Sequence, residues 1–365
     1  MSRDALDIAR SVPTPPEASI GTVGAMAVRA LGPADDARWN AYVEGHADGT
    51  FFHLTGWRNV LRRAFGHATH YLLAERAGAL VGVLPLAHVE SRLFGSALVS
   101  TPFCVYGGVL ASDPVAHQAL TAAACALAQQ LKVDYLEMRN LKRSHPEWPC
   151  KDLYVTFRKP IQPEGEANML AIPRKQRAMV RKGIQKQLKA EVDGDVRRLY
   201  TVYSDSLRNL GTPVFARSYL EILCEEFGPA AEVLTITHES RPVASVLSFL
   251  FRDEVLPYYG GGTVEARAVA GNDFMYWSVM ERAREQGRRV FDYGRSKRGT
   301  GAFDFKSNWG FEPTPLFYEY FLVRATALPN LSPTNPKYER LIRIWQRLPL
   351  WMTQWLGPLV AKYLG

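Results

Sequence analysis

The 365-residue sequence predicts an α/β protein of the α+β kind, in which one mixed-sheet unit is used twice in tandem ahead of a helical C-terminal segment. Two observations predict this. First, the order of segments in the first half returns in the second: Ala79-Leu80-Val81-Gly82-Val83-Leu84-Pro85-Leu86 is matched by Pro242-Val243-Ala244-Ser245-Val246-Leu247-Ser248-Phe249. Val105-Tyr106-Gly107-Gly108 is likewise echoed by Tyr258-Tyr259-Gly260-Gly261, and Val133-Asp134-Tyr135-Leu136 by Val290-Phe291-Asp292-Tyr293. The offset stays between roughly 150 and 160 residues, a drift that loops absorb. Second, each copy reads as a strand, a hairpin, a further strand, a long helix and a returning strand. That mixed order departs from the strict alternation of a doubly wound parallel sheet, and the length is comfortable for two cores.

The elements follow in order. Residues 1–24 read as a flexible tail, because Pro13, Pro15 and Pro16 break any helix and Arg3, Asp4, Asp7 and Arg10 interrupt the apolar core of a signal peptide. Ala25 to Leu31 is a first strand, and Asp35 and Asp36 open a short helix carrying Trp39 and Tyr42. Thr55 caps a second helix that buries Trp57, Val60, Leu61 and Phe65. Tyr71 to Glu75 and Leu80 to His88 form a hairpin around Ala77-Gly78, and Ala97 to Phe103 runs into the Tyr106-Gly107-Gly108 bend. An alanine-rich helix spans Pro114 to Leu131, Val133 to Met138 resumes strand character, and Tyr154 to Pro160 finishes the unit. In the second copy, helix Arg217 to Phe227 precedes strand Glu232 to Thr237. Helix Asn272 to Gln286, with Asn272 as its N-cap, precedes the strand from Val290. The first unit is thus expected over residues 25–161, the second over 162–325 and the C-terminal helical segment over 326–365.

Apolar residues make up 47% and charged residues 22%, the mix of a globular chain. The net charge of +8, from 44 basic and 36 acidic residues, fits anionic partners such as tRNA, nucleotide-linked substrates or anionic lipid; a generally basic surface with no specific target reads the same way. Cys104, Cys125, Cys150 and Cys224 show no CxxC spacing, so the expectation is reduced thiols in a cytosolic protein, with neither a zinc site nor a disulfide framework. His53, His67 and His70 lack metal-ligand spacing, and no G-x-S-x-G elbow or Ser-His-Asp order is visible. No stretch reaches about 18 uninterrupted apolar residues, the length a membrane span needs, so the expected location is cytoplasmic.

The segment Phe291-Asp292-Tyr293-Gly294-Arg295-Ser296, followed by Gly301-Ala302-Phe303-Asp304-Phe305-Lys306-Ser307-Asn308-Trp309-Gly310, resembles the FemAB signature: a strand ending in D-x-G-x-S, then a Gly-led turn into F-x-F-K and an aromatic–Gly pair. His53-Leu54-Thr55-Gly56-Trp57-Arg58, Phe65-Gly66-His67, Ser91-Arg92-Leu93-Phe94-Gly95 and Leu210-Gly211-Thr212-Pro213-Val214 resemble the FemAB-related branch associated with the PEP-CTERM/exosortase system. The similarity covers Met26 to Phe321. It implies two tandem GNAT-like (acetyltransferase-like) domains and transfer of an aminoacyl or acyl group onto an amine. FemAB enzymes draw that group from aminoacyl-tRNA. The PEP-CTERM branch is associated with exopolysaccharide and surface-protein export, so the implied acceptor is a cell-envelope or exopolysaccharide-related precursor. No tightly bound cofactor is implied, and the donor is aminoacyl-tRNA or acyl-CoA. The chain lacks the long helical-hairpin arm that some FemA-type members insert in the second domain.

Acyl transfer to an amine requires a neutral amine, a polarised carbonyl and a sink for the oxyanion's charge. The resemblance singles out Lys306 as a cation to polarise the carbonyl or bind phosphate; a surface lysine at a helix cap is the rival reading. Asp292 is placed to orient Arg295 or Lys306 or to accept the amine's proton, and a structural salt bridge explains it as well. Arg295, Lys297 and Arg298 crowd a loop ending at Gly299 and Gly301, suited to phosphate or carboxylate, or merely solvated. Lys306, Asp292 and Arg295 are therefore the catalytic candidates, with Ser296 and Phe305 beside them on the substrate side. Tyr259 and Gly260 line a cleft or mark a β-bulge. At the corresponding offset the acetyl-CoA fingerprint R/Q-x-x-G-x-G/A meets Ser296-Lys297-Arg298-Gly299-Thr300-Gly301, with Ser in the leading place and after the late strand rather than before the long helix.

Between Pro173 and Ala190 stand Arg174, Lys175, Arg177, Arg181, Lys182, Lys186 and Lys189 with no acidic residue. A helix over 174–189 would bury Val180, Ile184 and Leu188 and expose a self-repelling positive face, an anion-binding helix for tRNA or a diphosphate-linked substrate, or a solvated one. Lys175, Arg177, Arg181 and Lys182 are its binding candidates. Further on, Asn335-Pro336 starts a helix with Tyr338, Leu341, Ile342, Trp345 and Leu348 on one face and Arg340, Arg343 and Arg347 off it. Trp351, Trp355 and Leu359 continue the apolar run, which docks on the protein's own core or makes peripheral contact with the inner membrane surface. Three functional readings follow: the FemAB-like transferase, an acetyl-CoA-dependent N-acetyltransferase, and a non-catalytic basic scaffold binding RNA or anionic lipid for an export system.

Overall fold

The computed structural model describes residues 26–91, 95–328 and 336–363, with nothing stated of the side chains of 336–340. The expected tail 1–24, residues 92–94 of the Ser91–Gly95 stretch, the helix start at Asn335 and the side chains of Tyr338 and Arg340 lie outside the described residues. A four-stranded antiparallel sheet holds Met26–Ala30, Leu72–Arg76, Ala79–Leu84 and Leu110–Ala111 in that order. A six-stranded sheet runs Ala68–Thr69, Leu86–Ser91, Gly95–Ser100, Tyr135–Asn140, Phe317–Leu322, Cys150–Lys151. A seven-stranded sheet runs Lys189–Asp193, Ala231–His238, Arg241–Phe251, Glu254–Gly262, Val290–Lys297, Tyr154–Pro160, Pro313–Pro315.

The expected strand Leu80 to His88 is divided at Pro85: without an N–H the proline leaves the ladder, so the chain before it pairs in one sheet and the chain after it in the next. Helix Pro114–Gln130 forms where Asp113 accepts the Ala116 N–H and a proline opens the first turn. Its buried face, Ala116, Leu120, Ala124 and Ala128, is mostly alanine and lies close over Gly82. Helix Arg197–Leu210 is absent from the pattern-based expectation. Its first turn holds Arg197 and Arg198 and no acid, but Asp195 just before it accepts the Arg197 N–H at 2.8 Å, a start signal that the hydrophobic pattern does not carry. Helix Gly271–Glu285 begins one residue before Asn272, which sits inside the first turn instead of capping it. Thr55 also makes no side-chain cap; its hydroxyl donates to Asn40.

The sequence reading closes the first unit with Tyr154 to Pro160, but that strand pairs with Val290–Lys297 in the second unit's sheet. In exchange, Phe317–Leu322, expected at the end of the second unit, pairs along Tyr135–Asn140 in the first. Each sheet is thus completed by a strand from the other half of the chain. Both segments are short, alternating runs that satisfy either edge, so local pattern cannot choose between sheets. Glu319 anchors the returning strand: fully buried, it accepts from Asn140, from the Ser144 N–H and from the N–H and ring of His145.

Each unit keeps a core on its far side, and a third apolar cluster fills the space between them, where Trp39, Phe51, Phe52, Trp57 and Tyr106 meet Tyr219, Leu247, Phe249, Tyr258 and Tyr259. Phe51 and Phe249 stack across this joint with ring centres 4.5 Å apart. Arg252 of the second unit donates to the Val43 and His46 carbonyls of the first (2.6 and 2.7 Å). The C-terminal helices Pro336–Arg347 and Leu350–Ala361 lie on Arg197–Leu210, with Gln354 donating to Ser204 at 2.9 Å and Ile342 against Gly211. Among the described residues no helix is long and apolar enough to cross a membrane.

Candidate functional site

Strands Glu254–Gly262 and Val290–Lys297 start side by side and parallel, pairing at Glu254↔Val290 and Val255↔Phe291, and then part. Parting strands leave backbone groups that need other partners, and the segment 101–108 of the first unit comes into this opening. The Tyr258 hydroxyl donates to the Phe103 carbonyl (2.8 Å) and the Tyr106 hydroxyl to Asp292 Oδ2 (2.6 Å). On the opposite side Tyr318, from the exchanged strand, donates to the Val105 carbonyl (2.5 Å). Thr101 and Phe103 hold left-handed φ values of 47° and 68°, a conformation costing about 1–2 kcal/mol for a residue with a Cβ. The surroundings hold the segment in that shape.

Asp292 is buried and its oxygens are occupied. Oδ1 accepts the Gly294 N–H (2.7 Å) and the Thr156 hydroxyl (3.3 Å); Oδ2 faces Tyr106 and, at 3.6 Å, the Arg158 guanidinium. Lys306, on helix Gly301–Asn308, is folded under the same strand. Its Nζ donates to the carbonyls of Tyr293 (2.6 Å), Gly294 (3.1 Å) and Arg295 (3.0 Å). Burial pushes this amine down to about 7, while three carbonyl acceptors favour the charged form and oppose that fall. The two side chains grip Gly294, at φ +64°, from both sides: Asp292 takes its N–H and Lys306 the carbonyls around it. The expected task of Lys306, polarising a substrate carbonyl, requires a free proton, and all three are in use.

What this grip presents is Arg295. Its guanidinium lies 4.8 Å from the Tyr154 ring centre and 5.8 Å from that of Tyr318, and Nη1 donates to the Tyr318 hydroxyl at 3.0 Å. No carboxylate among the described residues pairs with it. Nearby Arg139 differs: Glu137 neutralises it at 2.7 Å, and it donates to the Cys104 carbonyl. Burial pushes the Cys104 thiol well above its ordinary value, so this cysteine supplies no thiolate. A cavity of about 200 Å³ in the first unit reaches the seam through Tyr106 and Arg139, with His46, His53, His117 and Asn140 in its walls.

The other expected site residues divide. Ser296 is buried beside Arg295 with its hydroxyl unpartnered among the described residues. Phe305 packs against Tyr276, Tyr293 and Trp309, in the second unit's core. Tyr259 is buried with its hydroxyl on Tyr219 (2.7 Å), and Gly260 is glycine because a Cβ would press on Val246 and Ser245. Of the two readings for this stretch, the bulge is found, with Tyr258 as the extra residue between Leu247 and Ser248. The basic helix runs Arg174–Gln185 and buries Gln176, Val180 and Gly183 against Gly271–Glu285. Ile184 is exposed, because Gly183 lets Phe274 approach and turns the helix onto that face; Leu188 is buried as expected but lies past the helix end. Lys175 and Arg181 are exposed, Lys182 is half-buried, and Arg177 donates to the Leu170 and Ile172 carbonyls. None of the seven cations makes an ion pair among the described residues, whereas Arg29, Arg38, Arg58, Arg63, Arg76 and Arg282 elsewhere all do. Tyr106, Tyr318, Arg158 and Thr156 were not site candidates from the sequence; only Tyr106 carried a signal, the Tyr-Gly-Gly echo.

Residues 174–307 match the family model described as an acetyltransferase (GNAT) domain. The protein is an acyltransferase that carries a GNAT domain over these residues. Its fold is a tandem of two such units, and solved structures share it. FemX is 14% identical with a TM-score of 0.62, over 87% of this chain and 100% of its own. The C-terminal domain of a protein named as a lysylphosphatidylglycerol synthetase from Agrobacterium fabrum is 14% identical with a TM-score of 0.55, over 79% and 91%. A tandem GNAT protein from the clavulanic acid biosynthesis pathway, without AcCoA, is 14% identical with a TM-score of 0.53, over 83% and 100%. No curated protein matches the chain in sequence.

One buried acid sits outside the seam. Asp273 accepts the Trp309 indole N–H (3.1 Å), and burial raises its carboxyl to about 6 from 3.8. The folded acyltransferase therefore binds this proton more tightly than the unfolded chain, so the ionised form costs stability above about 6, and the cost fades as pH falls towards 3.8. Asp273→Asn keeps the acceptor for Trp309 and removes the charge. It is expected to raise stability by about 2–3 kcal/mol near neutral pH and to leave it unchanged below the unfolded carboxyl's range, as denaturant titrations at the two pH values would read.

Proposed function

We propose that this acyltransferase moves an aminoacyl or acyl group onto an amine of a cell-envelope or exopolysaccharide-related precursor, with Arg295 stabilising the oxyanion. The observation that carries the chemistry is a half-buried guanidinium with no carboxylate partner among the described residues, held at the joint between the units. A neutral amine attacks the carbonyl carbon, a C–N bond forms, and negative charge collects on the former carbonyl oxygen, where a fixed cation in a dry site is worth most. Collapse breaks the bond to the leaving oxygen or sulfur, which takes up the proton the amine loses. Asp292 and Lys306 act as positioning residues that hold the Gly294 turn, Ser296 lies beside the reacting group, and the cavity reaching Tyr106 receives the acceptor.

For the donor, the basic helix supports a polyanion such as aminoacyl-tRNA over acyl-CoA, since its unpaired cations suit a run of phosphates. Ahead of the long helix, where the acetyl-CoA fingerprint belongs, the chain reads Arg267-Ala268-Val269-Ala270-Gly271-Asn272. The short helix there has Glu265 in its first turn, unfavourable for a diphosphate. The likeness to the PEP-CTERM-associated branch supports an exopolysaccharide-linked acceptor. Reversing Lys175, Arg181 and Lys182 to Glu is expected to weaken aminoacyl-tRNA binding at least about tenfold and to flatten its salt dependence, read by titration calorimetry against acetyl-CoA. Equal binding of acetyl-CoA by wild type and variant, with no tRNA binding, would favour the acetyl-CoA-dependent reading. Salt-sensitive RNA binding without an acyl product from any donor would favour the scaffold.

A further inference from the structure

The two C-terminal helices carry a surface that the transfer chemistry does not use. On Leu350–Ala361, Thr353, Gly357 and Ala361 are buried against the protein, Gly357 so closely that a Cβ would lie 2.6 Å from the Val214 carbonyl oxygen. Two residues out of phase, and so on the opposite side of the helix, Trp351, Trp355 and Leu359 are 67, 68 and 56% exposed. The preceding helix adds Leu341 and Ile344 at 61 and 58%. Among the described residues the other exposed large apolar side chains, Val115, Leu170, Ile184, Val192, Leu210 and Val264, fall one to an element, and only these helices carry several. From Leu341 to Tyr363 the chain contains Arg343, Arg347 and Lys362 and no Asp or Glu, and no carboxylate among the described residues pairs with Arg343 or Arg347.

We infer that these helices seat the protein on an anionic lipid surface. Indoles and aliphatic side chains beside unpaired arginines are what the boundary between acyl chains and anionic headgroups accommodates. A second copy on the same patch would bring like charges together with no acid to answer them, and the aliphatic members offer nothing for bases to stack on. The rigid backing matters as well. Helix Arg197–Leu210 lies between this surface and strand Glu254–Gly262, Ser204 meeting Gln354 on one side and Ser206 crowding Gly261 on the other. A lipid surface held here would stand about two helix layers, roughly 20 Å, from the strand that opens at the seam, a span for an extended lipid-anchored acceptor.

The test is flotation of the full-length protein with phosphatidylcholine vesicles and with vesicles also containing phosphatidylglycerol, without any acyl donor. Binding to the anionic vesicles is expected to exceed binding to the neutral ones at least about tenfold and to weaken with salt. Trp351→Ser with Trp355→Ser should remove it by a similar factor with an unchanged circular dichroism spectrum, and Arg343→Gln with Arg347→Gln should erase the preference for the anionic lipid. Failure of the wild type to float with either vesicle overturns the inference. So does flotation that survives the tryptophan pair, which would move the contact to the basic helix. Self-association in light scattering that the tryptophan substitutions abolish would assign the patch to a second copy instead. Because the readout is lipid binding alone, failure of acyl transfer leaves it standing.

Discussion

Arg295→Ala lowers the turnover of acyl transfer by about 100- to 1000-fold, the loss seen when a fixed oxyanion donor is removed, and leaves the protein folded. The fold should survive because Arg295 has no carboxylate to strand among the described residues and Tyr318 keeps its bond to the Val105 carbonyl. Arg295→Lys should recover only part of the activity, since one ammonium cannot both hold Tyr318 and face an oxyanion as a forked guanidinium can. The measurement is kcat and KM with saturating donor, beside a thermal melt. Activity within a few-fold of wild type in a folded Arg295→Ala variant would remove this residue from the mechanism.

Lys306→Met is expected to damage both stability and turnover. Three carbonyls lose their donor, and with partial access of water this costs about 2–4 kcal/mol. Turnover should fall by about tenfold or more while KM changes little, because a displaced Gly294 turn misplaces Arg295 without touching bound substrate. Asp292→Asn acts on the same turn from the other side. In a double-mutant cycle the pair should therefore lose less together than the sum of the single losses. Additive losses, or a Lys306→Met enzyme that is less stable yet fully active, would separate this lysine from the site.

The signature around Asp292 was legible because its parts are close in sequence: Asp292, Gly294, Arg295 and Lys306 sit on one strand and the helix after it. Their partners were not. Tyr106 is 186 residues from Asp292, and Tyr318 is 213 from Val105, so no local pattern joins them. The basic helix was legible as a run of uncompensated charge, and its apolar stripe was read in part: Val180 and Leu188 are buried, Ile184 is not. Periodicity marked Ile184 as buried, whereas Gly183, with no side chain to read, decides which face Phe274 can approach.

By itself the sequence determined the repeat, the kind of most elements and the residues at the chemically distinctive turn, since these depend on hydrophobic period, caps and turn residues acting over a few positions. Only the tertiary structure decided that the halves exchange a strand, that Lys306 and Asp292 hold one backbone turn between them, and that no carboxylate among the described residues pairs with Arg295. Strand partners, proton allocation and charge pairing are set by which distant surfaces pack together, and a single strand's pattern is compatible with more than one neighbour.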